Sequence, residues 1–266
     1  MRLSITASLA YHFDGQTDVL LQLEAAAIPE QLIEKAHIAV SDCMHFARVP
    51  ALDMIGDRIW ISVQGQMTVN YSATVAVNRI IDDCLGLDKI PLHRLPGETV
   101  QYLMASRYCP SDQFHSFVID EFGHLEGGER IVAMRDWVHD HFSYVPGVSS
   151  SETTALDTFV RRQGVCRDYA HVMVTLARAS GIPARFASVY GLGVTPQDFH
   201  AVAEVFLDGC WYLVDPTGMS SADRMAKIGV GRDAADVSFL TSYGMAILNH
   251  QQVNVIEAQG SQVDRD

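Results

Sequence analysis

The segment FHAVAEVFLDGCWYLVDPTG, residues 199–218, constrains the fold more than any other part of the chain. Two alternating apolar runs are separated by Asp208-Gly209, and an Asp-Gly pair in that setting is a strong signal for a two-residue β-hairpin turn. A turn there places Val202 opposite Asp215. Since side chains alternate between faces along a strand, His200 and Asp215 then lie on one face as diagonal neighbours, with Cα atoms about 7–8 Å apart.

A cysteine stands at the start of a helical pattern upstream. In RRQGVCRDYAHVMVTLARASGIPAR, residues 161–185, apolar side chains over 169–177 recur with the spacing of one helix face, and Gly181 and Pro183 end the pattern. Unpaired N–H groups and the helix dipole at a helix start favour a thiolate at Cys166. A thiolate attacks carbonyl carbon, and the same N–H groups can hold the resulting oxyanion.

Cys166, His200 and Asp215 together supply a nucleophile, a base and a residue that orients the base. Each of them alone has an ordinary structural explanation: a buried thiol, a strand-end histidine, and a turn residue before Pro216. Their joint occurrence, in a helix and a hairpin predicted by independent arguments, favours a catalytic triad.

At this point the chain resembles a known family. GVCRDYAHVMVTLARASGIPARFASVYG followed by HAVAEVFLDGCWYLVDPTG is similar to the core of the transglutaminase-like superfamily, best over residues 128–218. YLMASRYCPSD (102–112) and GVGRDAADVSFLTSYG (229–244) resemble its bacterial members. The resemblance implies an α+β fold, a papain-like transglutaminase core of helices on an antiparallel sheet, preceded by a β-sandwich. It also implies a thiol-protease-type triad of Cys166, His200 and Asp215, with no cofactor and no metal.

Patterns elsewhere divide the chain into three parts. Short alternating runs at 3–9, 59–63, 67–71 and 74–77, with Gly65-Gln66 as a hairpin turn, predict a β-sandwich-like domain over residues 1–105. Pro110 and glycines 123, 127 and 128 predict a linker over 106–127. Helical periods followed by strands predict an α+β catalytic domain over 128–266.

Within that domain, Ile131, Met134, Trp137 and Val138 predict one helix. Thr154 and Asp157 cap a second helix, with Leu156, Phe159 and Val160 as its apolar face and Gly164 as its end. Strands are predicted at 185–190, 201–207 and 210–214, and two more near 237–248 and 252–257.

Composition narrows the possible partners and location. The formal net charge of −13 argues against nucleic acid and anionic membranes, which need clustered Lys and Arg. The five cysteines (Cys43, Cys84, Cys109, Cys166 and Cys210) include no C-x-x-C pair, so no structural zinc is predicted. His139 and His141, two apart on a helix, do not share a face and make a poor metal pair. Without a signal-peptide pattern or a long apolar run, we expect a reduced, cytoplasmic protein whose partner is a peptide or protein substrate.

The predicted activity is hydrolysis of an amide bond, as a protease or amidase, through a thioester acyl-enzyme. Acyl transfer to an amine and a vestigial binding or scaffold module are the alternatives; a glycanase is disfavoured because the zinc cysteines are missing. Family members commonly carry Trp two positions after the histidine, where this chain has Val202. A smaller wall there leaves the thioester open to water, which favours hydrolysis.

Three charged residues near the motifs are predicted to have supporting roles. Asp168 is interpreted as favouring the helix dipole and Arg167 as a solvated or paired charge. Glu204 shares a face with His200 and is interpreted as an exposed strand residue in preference to a partner of the histidine.

Overall fold

The computed structural model describes residues 1–79 and 83–258 of the 266-residue chain. In chain order the elements are β1 (Arg2–Leu21), β2 (Gln31–Val40), β3 (His45–Pro50), β4 (Asp57–Val77), α1 (His115–Phe122), α2 (Gly127–His141), β5 (Ser143–Tyr144), α3 (Ala155–Arg161), β6 (Gln163–Gly164), α4 (Cys166–Ala179), β7 (Ala184–Gly191), β8 (His200–Leu207), β9 (Cys210–Val214), β10 (Met225–Gly231), β11 (Leu240–Ser242) and β12 (Ile247–Glu257). Short 3₁₀ turns connect several of them. The predicted α+β class is confirmed.

The N-terminal region is built on two long strands that pair along almost their whole length. β1 and β4 run antiparallel, and β2 and β3 pair with different parts of β4. Alternate side chains of β1, from Leu3 to Phe13, are buried on one face, which gives the period of two seen in the sequence. The predicted hairpin turn at Gly65-Gln66 is wrong. Gly65, at φ +76°, pairs with Phe13 within β4, beside a bulge in β1 that bends the sheet.

Two strands from the C-terminal end of the described chain complete this sheet. β12 pairs with the first part of β1, and β11 pairs with its last part. The strands predicted near 237–248 and 252–257 therefore exist, but they extend the N-terminal sheet. The 106–127 segment, predicted to be a linker, contains α1, whose Val118 and Phe122 are buried. The division into three domains stays a prediction, and residues 259–266 of the third lie outside the described chain.

The second sheet is antiparallel, with strand order β10-β7-β8-β9. The strands predicted at 185–190, 201–207 and 210–214 are confirmed, while β10 was not predicted. Helix α4 packs on this sheet through Val172, Met173 and Leu176, which share one hydrophobic cluster with Ala203 and Val205 of β8. The predicted helices α2, α3 and α4 are confirmed.

The cap of α3 matches its sequence signal, but its end does not. The Thr154 hydroxyl accepts a hydrogen bond from the Asp157 N–H, and the Thr154 N–H donates to the Asp157 carboxylate at 2.9 Å. Arg162, at φ +57°, adopts the left-handed conformation that ends the helix in place of Gly164. Val160, predicted on the apolar face, is 73% exposed because the helix buries Ala155 and Thr158 instead.

The two sheets are held together by buried contacts. The Tyr190 hydroxyl donates to the Leu23 carbonyl at 2.6 Å, and the Gln31 side chain makes two hydrogen bonds to the Lys227 backbone. Tyr190, Ala226 and Ile228 belong to the hydrophobic cluster of the N-terminal sheet. None of the helices in the described ranges is long and apolar enough to cross a membrane.

Candidate active site

Cys166 is the first residue of α4, where the sequence pattern placed it. The Asp168 carboxylate turns back and accepts a hydrogen bond from the Val165 N–H at 2.9 Å, which fixes the chain entering the helix. A side chain at Gly164 would collide with Asp168 at 2.6 Å, so the tight approach requires glycine. The thiol is half-buried, and its Sγ lies 4.0 Å from the Phe199 carbonyl oxygen. The nucleophile candidate therefore stands at an ordered helix start that solvent can reach.

His200 and Asp215 meet as the hairpin register predicted. β8 and β9 pair with Phe206 opposite Trp211 and Ala203 opposite Val214, around the 208–209 turn. The register brings His200 Nε2 to 2.9 Å from Asp215 Oδ2. The other carboxylate oxygen accepts hydrogen bonds from the Thr217 N–H at 2.9 Å and the Thr217 hydroxyl at 2.7 Å. Asp215 is thus held on both oxygens and can fix the orientation of the imidazole ring.

The electrostatics favour a protonated His200. Burial would lower its pKa, but the hydrogen bond to Asp215 and the interaction with the Cys166 side chain outweigh burial and raise that pKa to about 9. Burial also opposes ionisation of Asp215, yet the hydrogen bond and charge of His200 lower the pKa of Asp215 below its usual range. With Nε2 on Asp215, the buried Nδ1 has no hydrogen-bond partner. Nδ1 is therefore the ring atom free to exchange a proton at the thiol.

Tyr144 is a member of the site that sequence reasoning missed. Its strand β5 pairs with β6, Tyr144 opposite Gly164, which brings the phenol beside Cys166. Burial, first, and the interaction with the Cys166 side chain raise the pKa of Tyr144, whose hydroxyl interacts with both the backbone N–H and the side chain of Cys166. The local sequence carries no signal for this, because a two-residue parallel bridge has no periodicity.

A cleft of about 570 Å³ contains Cys166 and His200. One wall carries Arg107, Tyr108, Ser151 and Arg167, and its floor includes Phe186, Ser188 and Ala201. The lining also includes residues just before β8 and residues in or near β11 and β12: Asp198, Phe199, Phe239, Leu240, Ser242 and Gln251. Polar and apolar groups alternate around the thiol, so the cleft can hold both a peptide and water.

Two expectations about β8 are wrong. Val202 does not line the cleft; it is fully buried in a cluster with Ala187 and Leu213. Glu204 is only 1% exposed and bridges two cations: Arg185 Nε at 2.7 Å and Lys227 Nζ at 2.5 Å. Both differences have one cause, since the N-terminal sheet covers the face of β8 that was expected to meet solvent.

Arg167 and Cys109, which lie near the motifs, are in contacts that a structural role explains. Arg167 pairs with the Asp168 carboxylate at 2.9 Å, as one of the two sequence interpretations had it. Cys109 is fully buried, and burial raises its pKa to about 12. Within residues 1–79 and 83–258, no cluster of three or more His, Cys, Asp or Glu side chains could hold a metal ion.

Comparisons with known proteins accord with this geometry. A family model described as the transglutaminase-like superfamily matches residues 119–216. An uncharacterized protein of Mycobacterium leprae is 31% identical over 122 residues, which are 42% of this chain and 43% of that protein. An uncharacterized protein of Mycobacterium tuberculosis is 30% identical over 116 residues, 38% of this chain and 37% of that protein. The chain thus spans less than half the length of the curated relatives it matches.

A solved structure is similar over nearly the whole chain. It is the crystal structure of a "putative cysteine protease" from Cytophaga hutchinsonii, with a TM-score of 0.91 and 28% sequence identity. The match covers 98% of this chain and 91% of that one, so it includes the N-terminal sheet. Together, the family model and this neighbour support a cysteine-protease-like function.

Proposed function

We propose, from the match of residues 119–216 to the transglutaminase-like superfamily, that the chain is a cysteine-dependent amide-bond hydrolase, a protease or amidase. Cys166 is the nucleophile, His200 carries the proton and Asp215 orients His200. The observation that carries the proposal is the position of the imidazole: Nε2 is 2.9 Å from Asp215, which leaves Nδ1 for the Cys166 thiol at a helix N-terminus.

The reacting form in the proposed mechanism is a thiolate–imidazolium pair. The raised pKa of His200, about 9, keeps the ring protonated at neutral pH, and a cation beside a thiol favours the thiolate. The first turn of α4 adds the favourable end of its dipole at Cys166.

Acylation forms a bond between Sγ and the carbonyl carbon, and the carbonyl π electrons move onto oxygen. The Cys166 N–H can donate to this oxyanion, and the Tyr144 hydroxyl lies beside the same N–H and can donate as well. Collapse of the oxyanion breaks the C–N bond, and the proton on Nδ1 of His200 passes to the departing amine. A thioester on Cys166 and a neutral His200 remain.

Deacylation uses the neutral ring as the base. His200 takes a proton from water, the oxygen of that water bonds to the thioester carbon, and the C–S bond breaks. A carboxylic acid leaves and the thiolate–imidazolium pair returns. Asp215 stays ionised throughout, because Thr217 and His200 satisfy both of its oxygens.

The proposal is tested by capturing the thioester. The protein is exposed to a peptide library, quenched in acid and digested, and each cysteine peptide is weighed by mass spectrometry. We expect acyl adducts on Cys166, none in Cys166→Ala, and unchanged adduct formation in Cys210→Ala, which removes an exposed cysteine away from the cleft. Adducts on another cysteine, or hydrolysis that persists in Cys166→Ala, would refute the assignment.

A further inference from the structure

One wall of the cleft carries a guanidinium without a counter-ion in a chain that is otherwise strongly acidic. Arg107 is exposed and lines the cleft that contains Cys166. Within the described part of the chain, no acidic side chain forms an ion pair with it, whereas its neighbour Arg167 is neutralised by Asp168. The chain has 32 acidic and 19 basic residues, so an unpaired cation beside the nucleophile is not a consequence of average composition.

The support beneath Arg107 is rigid. Its guanidinium carbon lies 4.9 Å from the centre of the Tyr108 ring, and that of Arg167 lies 5.8 Å from the same ring. The Tyr108 N–H donates to Asp233 at 3.0 Å, its hydroxyl donates to the Ser151 carbonyl at 2.7 Å, and the ring stacks on His171. A cation stacked on a ring that is fixed at both ends holds its N–H groups at the cleft.

Another part of the cleft lining carries a negative charge. Asp198 accepts hydrogen bonds from the Phe199 N–H at 2.8 Å and the Gln251 side-chain amide at 2.7 Å, which fix it beside the cleft. Its negative charge disfavours an anion on that side. The cleft lining therefore holds a positive group at Arg107 and a negative group at Asp198.

We propose that Arg107 is a specificity-determining residue that binds a carboxylate of the substrate close to the scissile carbonyl, so that the substrates are acidic peptides or amides. This inference rests on the proposed function, because it assumes that the cleft binds a substrate. Anion binding by Arg107 can be measured without any turnover. A guanidinium matches the planar carboxylate geometry and donates two parallel hydrogen bonds to it.

The test compares an anionic with a neutral reagent at the same thiol. Iodoacetate and iodoacetamide both form an S–C bond at Cys166 with loss of iodide, and peptide mass spectrometry gives the two rates. We expect Arg107→Gln to lower the iodoacetate-to-iodoacetamide rate ratio about threefold to tenfold, and rising salt, from about 0.05 to about 0.5 M, to lower it in the parent protein. Asp198→Asn should raise the ratio, and Arg94→Gln, at an exposed arginine outside the cleft, should not change it.

A peptide library then separates this inference from the proposed function. Preferential cleavage beside Glu or Asp that disappears in Arg107→Gln supports both. A ratio that falls in Arg107→Gln without any peptide cleavage supports the anion site and counts against the hydrolase. Cleavage without acidic preference, or a ratio equal in Arg107→Gln and Arg94→Gln, overturns the anion site and leaves the hydrolase standing.

Discussion

The chemistry of the site depends on a single buried imidazole whose two nitrogens have different neighbours. Nε2 faces a carboxylate that is itself held by Thr217, and Nδ1 is left for the thiol. Asp215 sets the ring orientation and also keeps the ring charged, because it outweighs the burial that would otherwise neutralise it. Removing only the charge of Asp215 therefore separates these two effects.

We expect Asp215→Asn to lower the pKa of His200 from about 9 towards or below 6.5, because burial then acts without a compensating carboxylate. The stabilisation of the fold by this pair is complete below about pH 6.5 and is lost as the pH rises through about 9, since the folded-state pKa is the higher one. NMR titration of the histidine side chains measures the shift, with His200→Gln to assign the signal. Asp140→Asn, an exposed aspartate on α2, is the control; an unchanged His200 pKa in Asp215→Asn contradicts the argument.

Strand β8 contacts a different part of the molecule with each of its two faces. Towards α4 it presents Ala203 and Val205, and towards the N-terminal sheet it presents Glu204 between Arg185 and Lys227. Arg185 also pairs with Asp53 of the N-terminal region at 2.7 Å. The charges of Arg185 and Lys227 lower the pKa of Glu204 to about 2 despite its burial. Glu204 and Arg185 thus link three strands of the second sheet to the N-terminal region.

Glu204→Gln should destabilise the protein by about 3–5 kcal/mol, because two buried cations lose their shared counter-ion. Since the folded-state pKa of Glu204 is depressed to about 2, its contribution is present above about pH 4.5 and is lost as the pH falls through about 2. Urea unfolding at neutral pH measures the difference. Glu121→Gln, at an exposed position on α1, should cost less than about 0.5 kcal/mol. Equal free energies of unfolding of Glu204→Gln and Glu121→Gln would show that the ion pairs of Glu204 contribute nothing to stability.

What could be predicted from the sequence at this scale followed from local chemistry. Asp208-Gly209 fixed the hairpin register and with it the meeting of His200 and Asp215, and the 3.6-residue period placed Cys166 at a helix start. Features that depend on distant pairing were missed. β11 and β12 join a sheet whose other strands lie about two hundred residues earlier, and the alternation of β8 could not reveal that both of its faces are covered.

At the scale of the whole molecule, the N-terminal sheet helps to build the cleft. The Gln197 side chain bonds to the Val255 backbone in both directions, and Gln251 donates to Asp198, so β12 holds the loop that leads into His200. Leu240 and Ser242 of β11 stand in the cleft wall. The sheet completed by the C-terminal strands therefore positions the histidine and bounds the space above the thiol.

That architecture bears on the fate of the thioester. Val202 gives no information about the competition between water and an amine, since this residue is buried and does not line the cleft. The cleft lining does give such information, because it includes polar side chains and because Cys166 is half-exposed. The polar side chains are Ser151, Ser188, Ser242 and Gln251. These polar groups in the lining can hold water, and a dry tunnel is needed for an amine to outcompete water at its bulk concentration. We therefore expect hydrolysis to dominate over acyl transfer.

The assay offers an ester or glutamine-type acyl donor together with a primary amine in millimolar excess, and mass spectrometry counts acid and amide products. Acid should predominate, and the acid-to-amide ratio should change little as amine is raised within the millimolar range, because water at far higher concentration reaches the same carbon. Cys166→Ala gives the background of both products. Amide as the main product, formed only when Cys166 is present, would show that the polar walls exclude water after all and that the site is built for transfer.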